Sequence, residues 1–159
     1  MHIEKFEVAM QELTKRGAFL TTADIDGKFN TMTISWGFIG FMWNKPQFIA
    51  VVRPQRYTKE ILDNGDSFTV SIPLDDSLKE QLAICGTKSG RDILKEEVVK
   101  MIPSKSVASP IIDGCHQYCE CKIKLVQPIN GEALPKEIAD GFYKDDFHIM
   151  YVGEVIEWY

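Results

Sequence analysis

NTMTISWGFIGFMW, residues 30–43, sets three small hydroxyl residues on alternate positions and then runs into rings, glycines and branched carbons without a single charge. The alternation predicts a strand over Lys28 to Trp36. Met32, Ile34 and Trp36 face one way, Thr31, Thr33 and Ser35 the other. The apolar side is expected in the core. The hydroxyl side can donate to and accept from a flat heteroaromatic ring bearing carbonyls and ring nitrogens. A Thr/Ser-rich strand with one solvated face explains the same residues.

Working outward, Asp26-Gly27 is a turn signal joining this strand to AFLTTAD, residues 18–24. Residues 4–15 before it carry the spacing of a short amphipathic helix that stops at Gly17. On the other side, Asn44-Lys45-Pro46 turns the chain into FIAVV, 48–52, apolar on both faces as an interior strand would be. RPQRYTKEILDNG reads as a turn and short helix ending at Asn64-Gly65, and SFTVSI, 67–72, as another strand. A helix is expected from Asp76 or Ser77 to Cys85, and a second over SGRDILKEE. Residues 101–114 read as an irregular crossing, 117–126 as a long strand and 130–144 as mostly loop. Residues 147–158 read as a last strand bent or bulged at Gly153. Six strands with short peripheral helices and no regular strand–helix alternation predict a mainly β protein, an antiparallel six-stranded split or half-closed barrel.

A chain of 159 residues suits one core, so a single domain over 1–159 is expected. Its apolar fraction of 45% and charged fraction of 26% are those of a globular protein. A net charge of −5 disfavours nucleic acid and anionic lipid as partners. The first ten residues lack an uninterrupted apolar run, and no stretch is long enough for a membrane helix, so a cytoplasmic location is expected.

RPQRYT, Arg53 to Thr58, places two arginines beside a helix start, a good cradle for a phosphate, with Arg56 better placed than Arg53. Solvated arginines and a capping Thr58 explain the same pattern. In CGTKSGRD, 85–92, Ser89 and Asp92 resemble a capping box. The Gly-rich turn near Lys88 and Arg91 can also face an anion, although the full phosphate-loop pattern is lacking. Cys115, Cys119 and Cys121 with His116 form no zinc hook. Cys119 and Cys121 share one side of a strand about 6.5–7 Å apart, which makes buried cysteines the simpler reading. His148 sits among apolar residues, with core packing as its default role and a pocket role as the alternative.

Taken in order, N-T-M-T-I-S-W at 30–36, Lys45-Pro46 before an apolar strand, R-Y-T at 56–58, C-G-x-x-S-G-R-D at 85–92 and Glu120-Cys121 resemble the flavin reductase-like family, nearest its flavoredoxin-type branch. The resemblance runs from about Ala18 to Glu154. It implies a homodimeric split β-barrel holding flavin mononucleotide (FMN) near the subunit interface. Asn30, Met32 and Thr33 would then border the isoalloxazine, with Ser35 and Trp36 continuing the wall. Arg56, Tyr57 and Thr58 would surround the phosphate, and Ser89, Gly90 and Arg91 would approach the flavin. Trp36 facing the core, as the alternation argues, stays open. Many relatives have two prolines where this chain has Lys45-Pro46, so the pocket entrance is expected to differ.

The activity so implied passes electrons from NAD(P)H through flavin to free flavin, a protein or another acceptor. No catalytic acid is required, because the cofactor supplies the chemistry. Two rivals are an electron carrier that turns over no nicotinamide and a non-enzymatic ligand-binding or dimerising barrel. With little chain after the last strand, little material is expected to shape a nicotinamide site. The apolar run Phe38, Phe41, Met42, Trp43 is costly to leave wet and favours a two-fold interface. Burial under the chain's own elements is the alternative.

Overall fold

The computed structural model describes residues 3–159; Met1 and His2, the start of the expected domain, lie outside the described residues. The chain opens with α1 (Ile3–Lys15), β1 (Ala18–Ala23), β2 (Phe29–Ile34), β3 (Gly37–Met42) and β4 (Lys45–Val52). Next come α2 (Tyr57–Asp63), β5 (Ser67–Ile72), α3 (Lys79–Thr87) and a two-stranded hairpin of β6 (Met101–Ile102) and β7 (Ile111–Ile112). It closes with β8 (Gln117–Pro128), α4 (Lys136–Phe142) and β9 (Ile149–Trp158).

Seven strands form one sheet in the order β2-β1-β5-β8-β9-β4-β3, every pairing antiparallel. The two edge strands, β2 and β3, are neighbours in sequence. Only Ser35 and Trp36 lie between them, and three Cα steps reach at most about 11 Å. The sheet must therefore curl until its edges nearly meet. This is a split β-barrel: closed by the chain along one seam, not by a ladder.

The count is seven where the sequence predicts six, because Gly37–Met42, read there as an aromatic segment, pairs in full with β4. The turn between them is Trp43-Asn44, both at positive φ (56° and 57°), one position ahead of the expected Asn44-Lys45-Pro46. Residues 89–97 are a turn followed by a 3₁₀ turn at Lys95–Glu97, not a helix. Ser89 makes no capping box; its Oγ accepts from the Arg91 amide two residues on. The 130–144 region contains a 3₁₀ turn (Gly131–Ala133) and α4, more structure than a loop. Between β8 and β9 the register slips at two places, leaving Lys124 and Ile156 unpaired. One slip lies beside Gly153, where the sequence suggests a bulge.

The core fills the barrel. Leu20, Met32, Ile34, Phe48, Phe68, Val70, Cys119, Cys121 and Tyr151 meet inside it, each large apolar side chain adding about 1.5–3 kcal/mol on burial. A second cluster, Phe19, Leu82, Cys85, Val99 and Ile112, fixes α3 to the outside of β1. The sequence puts Trp36 on the core face, but β2 ends at Ile34 and Trp36 lies on the seam, 47% exposed. At its other end α1 stops on Gly17, where φ is +86° and a Cβ would stand only 2.9 Å from Ile34 O, so that glycine alone fits. That contact sets α1 against the end of β2, next to the seam.

Candidate functional site

Two chambers of about 210 Å³ each adjoin along β2 and share Met32 and Arg56 in their walls. The first is lined by Met32, Thr33, Ile34, Ser35, Trp36, Val51, Arg53, Arg56 and His148. The second is lined by Asn30, Met32, Gln55, Arg56, Tyr57, Thr58, Lys95 and the turn from Thr87 to Arg91. Thr31 of the hydroxyl ladder lines neither chamber; every residue that the resemblance places at the flavin or its phosphate, and Arg53 besides, lines one or both. They come from β2, the seam, the β4–α2 turn and the turn after α3, segments far apart in the chain.

The hydroxyl ladder behaves differently from its simplest reading. Thr31 is fully buried and pairs with Thr21 across the β1–β2 ladder, Oγ1 to Oγ1 at 2.9 Å. Thr33 Oγ1 donates to Leu82 O at 2.6 Å, pinning α3 to β2. Those hydroxyls are spent on the fold, and Ser35 is the member of the ladder left exposed at the first chamber. Asn30, also buried, donates from Nδ2 to Thr58 Oγ1 at 2.9 Å and so ties β2 to α2. Gly90 passes so close that a Cβ there would collide with Asn30 Oδ1 and stand 2.7 Å from Tyr57 Cδ1.

The cations divide into two kinds. Arg53 is paired with Asp146 at 2.8 Å, donates to Phe142 O and lies over the Tyr143 ring. Asp146, receiving the Lys144 amide, Gln55 and Arg53, is pulled down to about 2. Arg91 is paired with Glu60 and stacks 5.0 Å over Tyr57. Arg56 and Lys95 have no carboxylate partner among the described residues. Arg56 donates to Gly86 O and Cys85 O; Lys95, 3% exposed, donates to Thr31 O and Cys85 O. Burial pushes both below their ordinary values, and for Lys95 the nearby Arg56 charge adds to the push. Two neighbouring, partly desolvated positive charges served only by carbonyls make a seat suited to a dianion.

The first chamber carries surface instead of charge. Trp36 packs edge-on to Phe142 at 5.6 Å and against His148 at 5.3 Å. His148 is buried, bonded through Nδ1 to Tyr143 Oη at 2.8 Å, and held below the usual histidine range by burial and by Arg53. A larger hollow of about 590 Å³ opens beyond Thr33, lined by Lys15, Arg16, Asp76 and Lys79. Its Arg16 is paired with Glu12 and Asp76 and its lysines are exposed to water, so it holds no comparable charge.

Lys95 is a site residue that the sequence does not announce. It stands in KEE, among charges that look uniformly solvated, and nothing in that pattern marks one of them as buried. His148, whose default place from the sequence is the core, is core on one side and chamber wall on the other.

From Met10 to the last residue the sequence matches the flavin reductase like domain, residues 10–159. The chain belongs to that family. A curated relative, an uncharacterised protein of Pyrococcus abyssi, is 26% identical over 106 residues, 66% of this chain; the match spans 60% of that relative's length. Among solved structures, the flavoredoxin of Desulfovibrio vulgaris (Miyazaki F) superposes with a TM-score of 0.70 at 20% identity, covering 90% of this chain and 68% of that one. The flavoredoxin of Methanosarcina acetivorans gives 0.67 at 24%, covering 91% and 68%. An FMN-binding protein from Thermus thermophilus, solved with 1-cyclohex-2-enone bound, gives 0.68 at 18%, covering 90% and 69%. At these identities the likeness establishes the split-barrel fold.

Proposed function

We propose that this flavin reductase-like protein binds FMN, with the phosphate against Arg56 and Lys95 and the isoalloxazine along Thr33 to Trp36, and acts as an oxidoreductase. The observation that carries this reading is the pair of cations without carboxylates, Arg56 in the wall shared by the two chambers and Lys95 in the wall of the second. A dianion supplies the missing counter-charge, and the aromatic chamber beside it takes a planar ring. The names of its structural relatives, flavoredoxins and an FMN-binding protein, support the same ligand.

When bound, FMN supplies the hydride and electron chemistry, here between NAD(P)H and free flavin, a protein or another acceptor. The chain's own residues hold and orient it. Arg56 and Lys95 fix the phosphate end, and Gly90, by its lack of a side chain, keeps the passage beside Asn30 open. Trp36 and Val51 bound the ring chamber and limit water there. Asn30, through Thr58, keeps the two ends at a fixed distance.

The test is a titration with FMN and with riboflavin, followed by anaerobic mixing with NADH. Tight FMN binding near one per chain, weaker riboflavin binding and bleaching of the flavin band support the reductase. Flavin that is reduced only by a protein donor makes it an electron carrier. No affinity for either flavin removes the proposal.

The chain also acts, on this reading, as a homodimer with the flavin near the interface. Phe38, Phe41 and Trp43 are 56%, 65% and 57% exposed, so the chain's own elements do not cover them. They follow directly on Trp36 and the first chamber. Sedimentation showing only monomer with flavin fully bound would separate the dimer from the site. Among the described residues no helix is long and apolar enough to cross a membrane. A cytoplasmic setting fits Cys85, Cys115, Cys119 and Cys121, all free thiols.

A further inference from the structure

The α4–β9 connection brings an aromatic and charged group to the mouth of the first chamber that the flavin reading does not use. Tyr143 Oη lies 2.8 Å from His148 Nδ1, Arg53 lies 5.0 Å over the Tyr143 ring, and Asp146 holds Arg53 in place. His148 Nε2 has no hydrogen-bond partner among the described residues. The one buried side-chain polar atom without a partner there is Gln47 Oε1, so Nε2 reaches open space, and the space beside His148 is the chamber.

We infer that Tyr143 is a positioning residue: its phenol donates to His148 Nδ1, fixes the imidazole as the Nε2–H tautomer, and aims that N–H into the chamber at a carbonyl oxygen of the bound molecule. Three features support the direction of the bond. A phenol donates more strongly than it accepts, and a guanidinium over its ring draws electron density from it. The groups facing His148 are Tyr143, Arg53 and Asp146, with Trp36 against its ring and Arg56 across the chamber. Burial and Arg53 oppose a charge on the ring more than Asp146 favours it, so the imidazole is neutral near pH 7 and one nitrogen must accept. With Nδ1 accepting, Nε2 carries the proton.

The chamber's role rests on the flavin reading; the tautomer does not. In the flavin-free chain labelled with ¹⁵N-histidine, His148 is expected to show an unprotonated Nδ1 and a protonated Nε2 near neutral pH. A protonated Nδ1 overturns the inference, whatever flavin does. Tyr143→Phe keeps the ring under Arg53 and removes only the hydroxyl. It is expected to slow reduction by NADH, slow reoxidation by a quinone, or weaken riboflavin and FMN alike, by about 5- to 20-fold. Which of these moves identifies the carbonyl as that of the nicotinamide, the acceptor or the flavin ring. In a His148→Gln background Tyr143→Phe is expected to add nothing. No change in all three measurements, or an undiminished effect in that background, overturns the inference. Absence of any flavin affinity defeats the proposed function while the ¹⁵N result still decides the tautomer.

Discussion

The two chambers along β2 hold arginines of opposite situation. In the first chamber Arg53 has Asp146, and in the loop around the second, Arg91 has Glu60. Between them Arg56 and Lys95 have carbonyls only. A paired arginine builds walls; an unpaired one in partly desolvated surroundings keeps its field for something else. The fold thus separates cations that shape the site from cations that attract into it, a distinction that a count of basic residues near a pocket would lose.

Breaking the unpaired set should produce the largest change. Arg56→Ala is expected to weaken FMN by about 100-fold while moving riboflavin only a few-fold, the loss of a charge-assisted contact. Calorimetry with both ligands reads it, and equal losses would place Arg56 away from the phosphate. Lys95→Met is expected to cost about 10- to 30-fold in FMN affinity. It should also leave the flavin-free protein melting no lower than wild type, because a buried unpaired ammonium is itself costly. A melting point that falls with FMN affinity intact would make Lys95 a structural residue.

On the aromatic side, Trp36→Ala should weaken FMN and riboflavin equally, by about 5- to 10-fold, since it removes surface and no charge. Fluorescence titration with the two flavins checks it. The smallest effect sharpens the contrast through pH. Lys95 has a value lowered by burial, so its charge is lost earlier on raising the pH than in an exposed lysine. The preference for FMN over riboflavin is expected to decline as the pH rises from about 7 toward the ordinary lysine value of about 10.4, with riboflavin affinity flat. A preference constant across that range would remove Lys95 from the phosphate.

Hairpins and interior strands are legible in the sequence because their signals are local. Asp24 Oδ1 accepts from the amides of Asp26 and Lys28, just where Asp26-Gly27 marks the turn, and FIAVV, apolar on both faces, is paired on both sides. The strand over 37–42 is not legible. Its outward residues are apolar, so the period of two that identifies a half-buried strand is absent. Arg56, Thr58 and Ser89 stand out through their types and turn positions. What their neighbours do cannot be read there: Thr31 and Thr33 look like ligand-facing hydroxyls, and only the packing of Thr21 and of α3 spends them. Lys95 is hidden for the same reason, because burial of a charge depends on carbonyls from Thr31 and Cys85, brought together in space from distant parts of the chain.

The barrel is a hoop buckled at Ser35 and Trp36. No ladder joins β2 to β3, so along that seam the short covalent tie is what keeps the two edge strands together. Slack added there, a pair of glycines for instance, would let the whole ring of strands relax outward without removing one hydrogen bond between them. Whatever lodges beside the buckle touches β2 on one side and Val51 of β4 on the other, so filling the chamber should add a second, non-covalent clasp next to the first.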